Sequence, residues 1–412
     1  MRIRYLLIGL LAFPSFTLAV QPVHPPGLLP TAIARSLLEQ DPSVAAARAG
    51  LEVARQEAGI LDKSPYEWTT RAAGQQRRLE TGPRYNEWHV GVERTIRLPG
   101  KAAADRSIGN ATVEESRARY GEALHDSARE LLALWVDWLA AERARELAER
   151  SLQSTQDSLA AVEKRLRAGD ASRLDLNIAR AELSEQRRLQ NDAKTQAAVA
   201  WARLSTRFPG VSRQIVALPA PLPAKEGAEF WRNRILAESD LLKAAQAQQR
   251  KAEGLSERAR ADRTPDPTVG VYTASEIGGQ ERFSGITLSI PIPGSVRDSR
   301  SAKATAAAEV SRQGVELTKR RLETEIAGAV ATAQGTYDSL QIANEGAAAM
   351  QENANLMQRA YTLGEADLQA LLLARRQATA AVNNALQAQV AALKAYYGLL
   401  LDAHLIWNLE QE

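Results

Sequence analysis

The chain has 412 residues, 45% of them hydrophobic and 25% charged, with a formal net charge of +3 and no cysteine. The missing cysteine excludes disulfides, thiolate metal sites and a lipid anchor on an N-terminal cysteine, and it suits an oxidising compartment. Lys/Arg and Asp/Glu are interleaved along the chain, which makes a solvated helical surface and not a nucleic-acid footprint.

In chain order, residues 1–19 read first as a signal peptide. Arg2 and Arg4 form a basic start, Tyr5 to Phe16 an apolar stretch, and Thr17-Leu18-Ala19 a small-residue cleavage site. A membrane anchor is the other reading, but the stretch falls short of the ~20 apolar residues a spanning helix needs. Removing residues 1–19 leaves a net charge of +1. No later run of ~20 apolar residues follows, so a transmembrane helix is not expected in the mature chain, while β-strands, with their weaker signal, stay open.

The strongest pattern is a duplication. All 17 prolines lie outside two windows, 100–208 and 294–412, and each window opens on Pro-Gly, at Pro99-Gly100 and Pro293-Gly294, 194 residues apart. Proline inside a helix costs roughly 3 kcal/mol, so the two windows, rich in Ala, Leu, Glu, Arg and Gln, read as very long helices. The first structural repeat spans 20–208, a proline-rich linker 209–228, the second repeat 229–405, and a tail 406–412.

Within the first repeat the expected order is a helix 31–62 with Thr31 as N-cap, strands 66–79 and 85–97, a helix 101–167, and a returning helix 170–207. The second strand alternates, with Trp88, Val90, Val92 and Ile96 on one face and His89, Gly91, Glu93 and Thr95 on the other. The first alternates poorly. Heptad-like apolar spacing runs through Leu124, Ala128, Leu131, Trp135 and Trp138, then Leu152, Leu159, Val162 and Leu166. The second repeat gives a helix 229–263, strands 268–276 and 282–292 around Gly278-Gly279, a helix 295–362 with a seam from Leu322 to Tyr361, and a helix 366–402. Each long helix is ~100 Å at ~1.5 Å per residue, and two shorter helices together match that length. This predicts a two-storey arrangement, one short helix beside the strand-proximal half and another beside the distal half.

Four strands of this length suit an outer membrane, but the smallest spanning barrels have about eight. Open edges in lipid would leave backbone groups unpaired at several kcal/mol each, so strands entering a bilayer must be pooled between subunits. A soluble helical protein with two hairpins is the other reading. The expected fold is thus mainly α with a small β part: a long antiparallel helical, coiled-coil barrel plus four antiparallel strands contributed to an intersubunit transmembrane β-barrel, with an internal two-fold repeat.

This order of elements resembles the outer-membrane efflux protein (TolC-like) family from about Leu29 to Leu405. Arg165-Leu166-Arg167-Ala168-Gly169-Asp170-Ala171-Ser172-Arg173-Leu174-Asp175-Leu176 resembles the family's inter-helix turn, and Tyr361-Thr362-Leu363-Gly364 its counterpart in the second repeat. Ile96-Arg97-Leu98-Pro99-Gly100-Lys101 is similar to the heavy-metal cation efflux (CzcC-like) branch. The resemblance implies a homotrimer in outer-membrane lipid, reaching across the periplasm. It implies a passive exit duct of a tripartite efflux system, joined by a periplasmic adaptor to an inner-membrane resistance-nodulation-division pump, with heavy-metal cations or drugs as cargo. It puts adaptor docking on Arg165, Leu166, Gly169, Ser172, Leu363 and Gly364.

Related channels narrow at acidic residues past the second turn glycine, where this chain has Ala370 and Leu373. The carboxylates Asp175, Glu365 and Asp367 are the candidates here for a pore constriction, as rings of charge favouring cations. Helix capping is the competing role, and Asp170, Glu365 and Asp367 fit it.

Chemistry beyond conduction is not expected. His24, His89, His125 and His404 are scattered singly, and no metal, cofactor or catalytic motif stands out, so the chain reads as no enzyme. Trp135 and Trp138 read as packing residues. The duct of a type I protein secretion system, a periplasmic adaptor and a poreless coiled-coil scaffold are the alternative functions.

Overall fold

The computed structural model describes residues 27–407 other than Leu79, together with Leu409, so residues 1–19, expected to be a signal peptide, lie outside the described residues. The first repeat runs α1 (Thr31–Glu39), α2 (Pro42–Asp62), β1 (Thr69–Arg78), β2 (Arg84–Thr95), α3 (Pro99–Ala168) and α4 (Arg173–Arg207). The second runs α5 (Ala228–Glu238), α6 (Asp240–Ala261), β3 (Thr268–Glu276), β4 (Glu281–Ser289), α7 (Val296–Leu363) and α8 (Leu368–Asp402).

The two helices expected as continuous, 31–62 and 229–263, are each broken, and the break has a local cause. Pro42 has no amide to donate and forces Asp41 into extended backbone (φ −63°, ψ 129°), so α1 ends and α2 restarts with Asp41 as N-cap. In the second repeat no proline intervenes. Ser239 turns out (φ −58°, ψ 110°) and its hydroxyl accepts from the Leu242 amide at 3.2 Å. Thr31 is not a cap: Pro30 occupies that position, without a side-chain bond. The helix expected from residue 170 starts at Arg173, capped by Ser172.

The long helices α3 (70 residues) and α7 (68 residues) run the full height. In the strand-proximal storey α2 packs on α3, and α6 fills the space between α3 and α7. In the distal storey α4 lies on α3 and α8 on α7, with α8 also touching α3.

The storeys meet at the main core. Leu124, Ala128, Leu131, Trp135 and Trp138 of α3 are buried there with Leu204 and Phe208 at the end of α4, Trp231 of α5, Ile326 and Val330 of α7, and Leu393 and Tyr397 of α8. The first and last described segments are tied to it: the Trp135 indole donates to the Gly27 carbonyl and the Trp407 indole to the Leu29 carbonyl, each at 2.9 Å. The α7 seam is buried at Leu322, Ile326, Val330, Ala333, Leu340 and Ala354, whereas Tyr337, Met350 and Tyr361 are only partly covered or exposed. A single layer of helices has too little neighbouring surface to enclose a full seam.

The four strands form one antiparallel sheet in the order β1-β2-β3-β4. The β2–β3 pairing, from Trp88 opposite Ser275 to Thr95 opposite Thr268, joins the two repeats. β1 and β4 are its edges.

Candidate functional site

Residues opposite one another in an antiparallel register share a face. One face of the sheet carries Thr70 and Ala72, then Trp88, Val90 and Val92, then Val269 and Val271, then Ile286 and Leu288. It faces outward uncovered: Ile286 is 78% exposed, Leu288 65% and Val271 60%. The opposite face carries Arg71, Gln75, Arg77, Glu87, His89, Glu93, Tyr272 and Glu276. Those charges pair among themselves: Arg71 with Glu93 at 2.6 Å, and Arg77 with Glu87 at 3.0 Å and with Glu276 at 2.9 Å. A ribbon with a bare apolar face, a self-neutralised polar face and two open edges matches the wall of a spanning barrel with a wet interior. Among the described residues, no helix is long and apolar enough to cross a membrane.

Below the sheet, the stretch Ile96–Lys101 becomes a junction. Arg97 donates to the Leu61 and Asp62 carbonyls at the end of α2, both at 2.7 Å, and to Asp105 at 2.9 Å. Arg258 of α6 reaches the other oxygen of Asp105 at 2.7 Å. Lys101 meets Asp266 at 3.0 Å, and Asp266 also accepts from the Leu98 amide and the Tyr66 hydroxyl. Two cations from one short motif thus lock α2, α6 and the entry to β3 onto the start of α3. The motif was visible in the sequence; its partners, far along the chain, were not.

At the far end the long helices stop in matching turns. Gly169 (φ 85°) follows α3 and Gly364 (φ 82°) follows α7, both left-handed conformations that glycine adopts without strain. The fold brings the two tips together: Val162, Ala179, Leu368 and Leu372 share a small core, and the Arg165 guanidinium sits 5.0 Å from the centroid of the Tyr361 ring. Leu363 (75% exposed) and Leu174 (65%) project from the tips, and Leu174 is an apolar tip residue that sequence reasoning passed over.

Two of the three acidic candidates are engaged locally. Asp175 and Ser172 form a reciprocal capping box, with Asp175 Oδ2 accepting from the Ser172 amide at 2.9 Å. The Ser172 amide and hydroxyl hold the Asp175 carboxyl below its usual range. Asp367 caps α8, accepting from the Ala370 amide at 2.7 Å. The Glu365 side chain is exposed and makes no hydrogen bond or ion pair among the described residues, and Asp170 does not cap.

The histidines are not all solitary. His125 and His404 stack with ring centroids 5.4 Å apart, and His125 Nε2 lies 3.8 Å from Asp402 Oδ1. Burial, with Arg129 and His404 nearby, holds His125 down at about 3, so it is neutral at ordinary pH. Among the described residues no three His, Asp or Glu side chains are grouped to hold a metal ion.

The model of the family described as "Outer membrane efflux protein" matches residues 33–207. No curated protein matches the sequence. Among the solved structures that share its fold, three illustrate the likeness over nine-tenths or more of the chain. The open state of the Neisseria gonorrhoeae MtrE outer membrane channel superposes with a TM-score of 0.74 at 17% identity, covering 95% of this chain and 94% of that one. CusC, described in terms of folding and transmembrane channel formation, gives 0.73 at 18% identity over 95% and 98%. VceC, an outer membrane protein of Vibrio cholerae, gives 0.72 at 14% identity over 90% and 95%. At such identities the likeness is one of fold. The expected repeat of helix, hairpin, long helix and returning helix is the fold observed, and the first repeat carries the sequence signature as well. Residues 33–207 of this chain are thus similar to the outer membrane efflux protein family, and the whole chain has the fold of these channel structures.

Proposed function

We propose that the chain is the outer-membrane exit duct of a tripartite efflux system, working as a homotrimer. The observation that carries this reading is the sheet: an uncovered apolar face, a charged face whose ion pairs close on themselves, and two unpaired edges. One copy cannot satisfy those edges in lipid, whereas three copies supply twelve strands, enough to close a barrel. An adaptor or a poreless scaffold leaves that apolar face without a purpose. Reconstitution in planar bilayers tests the reading: discrete conductance steps from a heat-modifiable trimer support it, and a detergent-free, monodisperse monomer without conductance overturns it.

We assign adaptor docking to the two tips, through Arg165, Leu166, Gly169, Ser172, Leu363 and Gly364. Support comes from the pairing of the turns into one end and from the exposed Leu174 and Leu363 side chains beside them. The energy comes from an inner-membrane pump. The rings of Asp175, Glu365 and Asp367 supply the field of the pore mouth; capping does not remove a carboxylate's charge. Cation preference of single channels should fall when the three are changed together to Asn, Gln and Asn, and an unchanged preference would refute the ring. The similarity of Ile96–Lys101 to the heavy-metal branch makes metal cations the first cargo to test. Selection then belongs to the pump, and a strain lacking the gene should regain metal tolerance on complementation.

A further inference from the structure

The arginines of the sheet divide by face. On the polar face, Arg71 and Arg77 are both paired with carboxylates. On the apolar face, Arg78, Arg84 and Arg282 are exposed and make no ion pair among the described residues. Arg78 and Arg84 stand directly opposite each other across the β1–β2 register. Like charges so placed repel and destabilise a hairpin unless an anion lies between them. Glu80, the nearest acid in the turn, makes no ion pair with either.

Their height is set by the register. Arg282 lies in the row of Ser275 and Trp88, at the hairpin-turn boundary of the apolar band. Arg84 is two same-face positions beyond Trp88, ~13 Å further along the strand at ~3.3 Å per residue. Between these arginines and the other rim the face carries Val90, Val92, Val269, Val271, Ile286 and Leu288, together with the small residues Thr70, Ala72, Thr273 and Ser284. At that other rim Arg94 lies 5.5 Å from the Trp68 ring centroid and donates to the Tyr66 carbonyl, an aromatic-cation pair of the kind found at a membrane boundary.

We infer that Arg78, Arg84 and Arg282 form a binding site for the phosphate groups of lipid headgroups in the outer leaflet, on the lipid-facing side of the barrel. Guanidinium groups pair with phosphate oxygens through parallel N–H bonds, and a phosphate between Arg78 and Arg84 would turn a repulsive pair into a bridged one. The levels of Arg282 and of Arg78/Arg84 suit a headgroup carrying phosphates at more than one depth. The inference rests on the outer-membrane reading above.

The test uses detergent-purified full-length protein titrated with three probes: bisphosphorylated lipid A, dephosphorylated lipid A and phosphatidylglycerol. Wild type should bind bisphosphorylated lipid A at least about tenfold more tightly than the dephosphorylated form, given roughly fivefold per basic residue at a charged lipid surface. The R78Q/R84Q/R282Q variant should lose that difference, while R78K/R84K/R282K keeps most of it. Phosphatidylglycerol binding as tight as lipid A would support the phosphate site and assign it to phospholipid. Equal wild-type affinity with and without phosphate overturns the site and needs no variant, and so does an unchanged phosphate preference in the glutamine variant. Conductance recorded on the same preparations separates the two readings. Pores without phosphate preference sink the site alone, and no pores from wild type in any lipid sink both.

Discussion

Asp41 shows what one side chain contributes at the meeting of the storeys. It caps α2 through the Ser43 amide, accepts from the Ser43 and Ser127 hydroxyls, and meets Arg207 from the end of α4 at 2.5 Å. Burial would raise its pKa, but the hydrogen bonds and the arginine outweigh it and hold it at about 2. Because the folded value is depressed, its contribution is complete above the ordinary value of 3.8 and fades as pH falls toward 2. D41N should therefore lower stability by about 2 kcal/mol at neutral pH, with the deficit shrinking below about pH 4. Thermal unfolding followed by near-ultraviolet circular dichroism across pH checks this. Asp240 has the opposite sign: burial, aided by Glu238 and opposed by Lys243, pushes it up to about 6. Its neutral form is the comfortable one, so D240N should raise the unfolding midpoint at pH 8 and lose that advantage below about pH 4. A midpoint unaffected at pH 8 would contradict it.

At the scale of elements, the long helices were legible because proline is so costly inside them that its absence is a signal. Their ends were legible to within a few residues, since Gly169 and Gly364 mark left-handed caps. The break at Pro42 had a proline to announce it. The break at Ser239 rests on one hydroxyl and on where α5 packs against α7, which no local rule reveals. The turns give a prediction of their own. A β-branched residue at Gly169 or Gly364 must adopt positive φ at roughly 1–2 kcal/mol. G169V and G364V should leave outer-membrane assembly intact while reducing cross-linking to the adaptor and efflux-dependent resistance. Normal resistance in both variants would contradict the docking assignment.

For the whole molecule, the decisive asymmetry is between the two faces of the sheet. A charge placed at Val271 or Ile286 would face hydrocarbon at about 2–4 kcal/mol for a basic residue near the midplane. V271K and I286K should lower the protein recovered in outer-membrane fractions, whereas T287K, on the polar face one residue away, should not. Equal recovery of all three would mean that the apolar face does not meet lipid. The same asymmetry explains the sequence pattern. β2 and β4 alternate because they present lipid on one side and water on the other. β1 alternates poorly because its lipid-side residues include Thr70, Gly74 and Gln76.

The sequence by itself determined the duplication, the long helices, the four strands and, for β2 and β4, the side that shuns water. These follow from proline, glycine and two-residue periodicity, which act within a few residues of the chain. Only the tertiary structure decided that Arg97 and Lys101 clamp segments from both repeats, that His125 meets His404, and that the two tips share one core. Ion pairs, stacked rings and shared cores depend on distance in space, and a chain folded back on itself over ~100 Å brings together residues whose spacing along it carries no trace of the meeting.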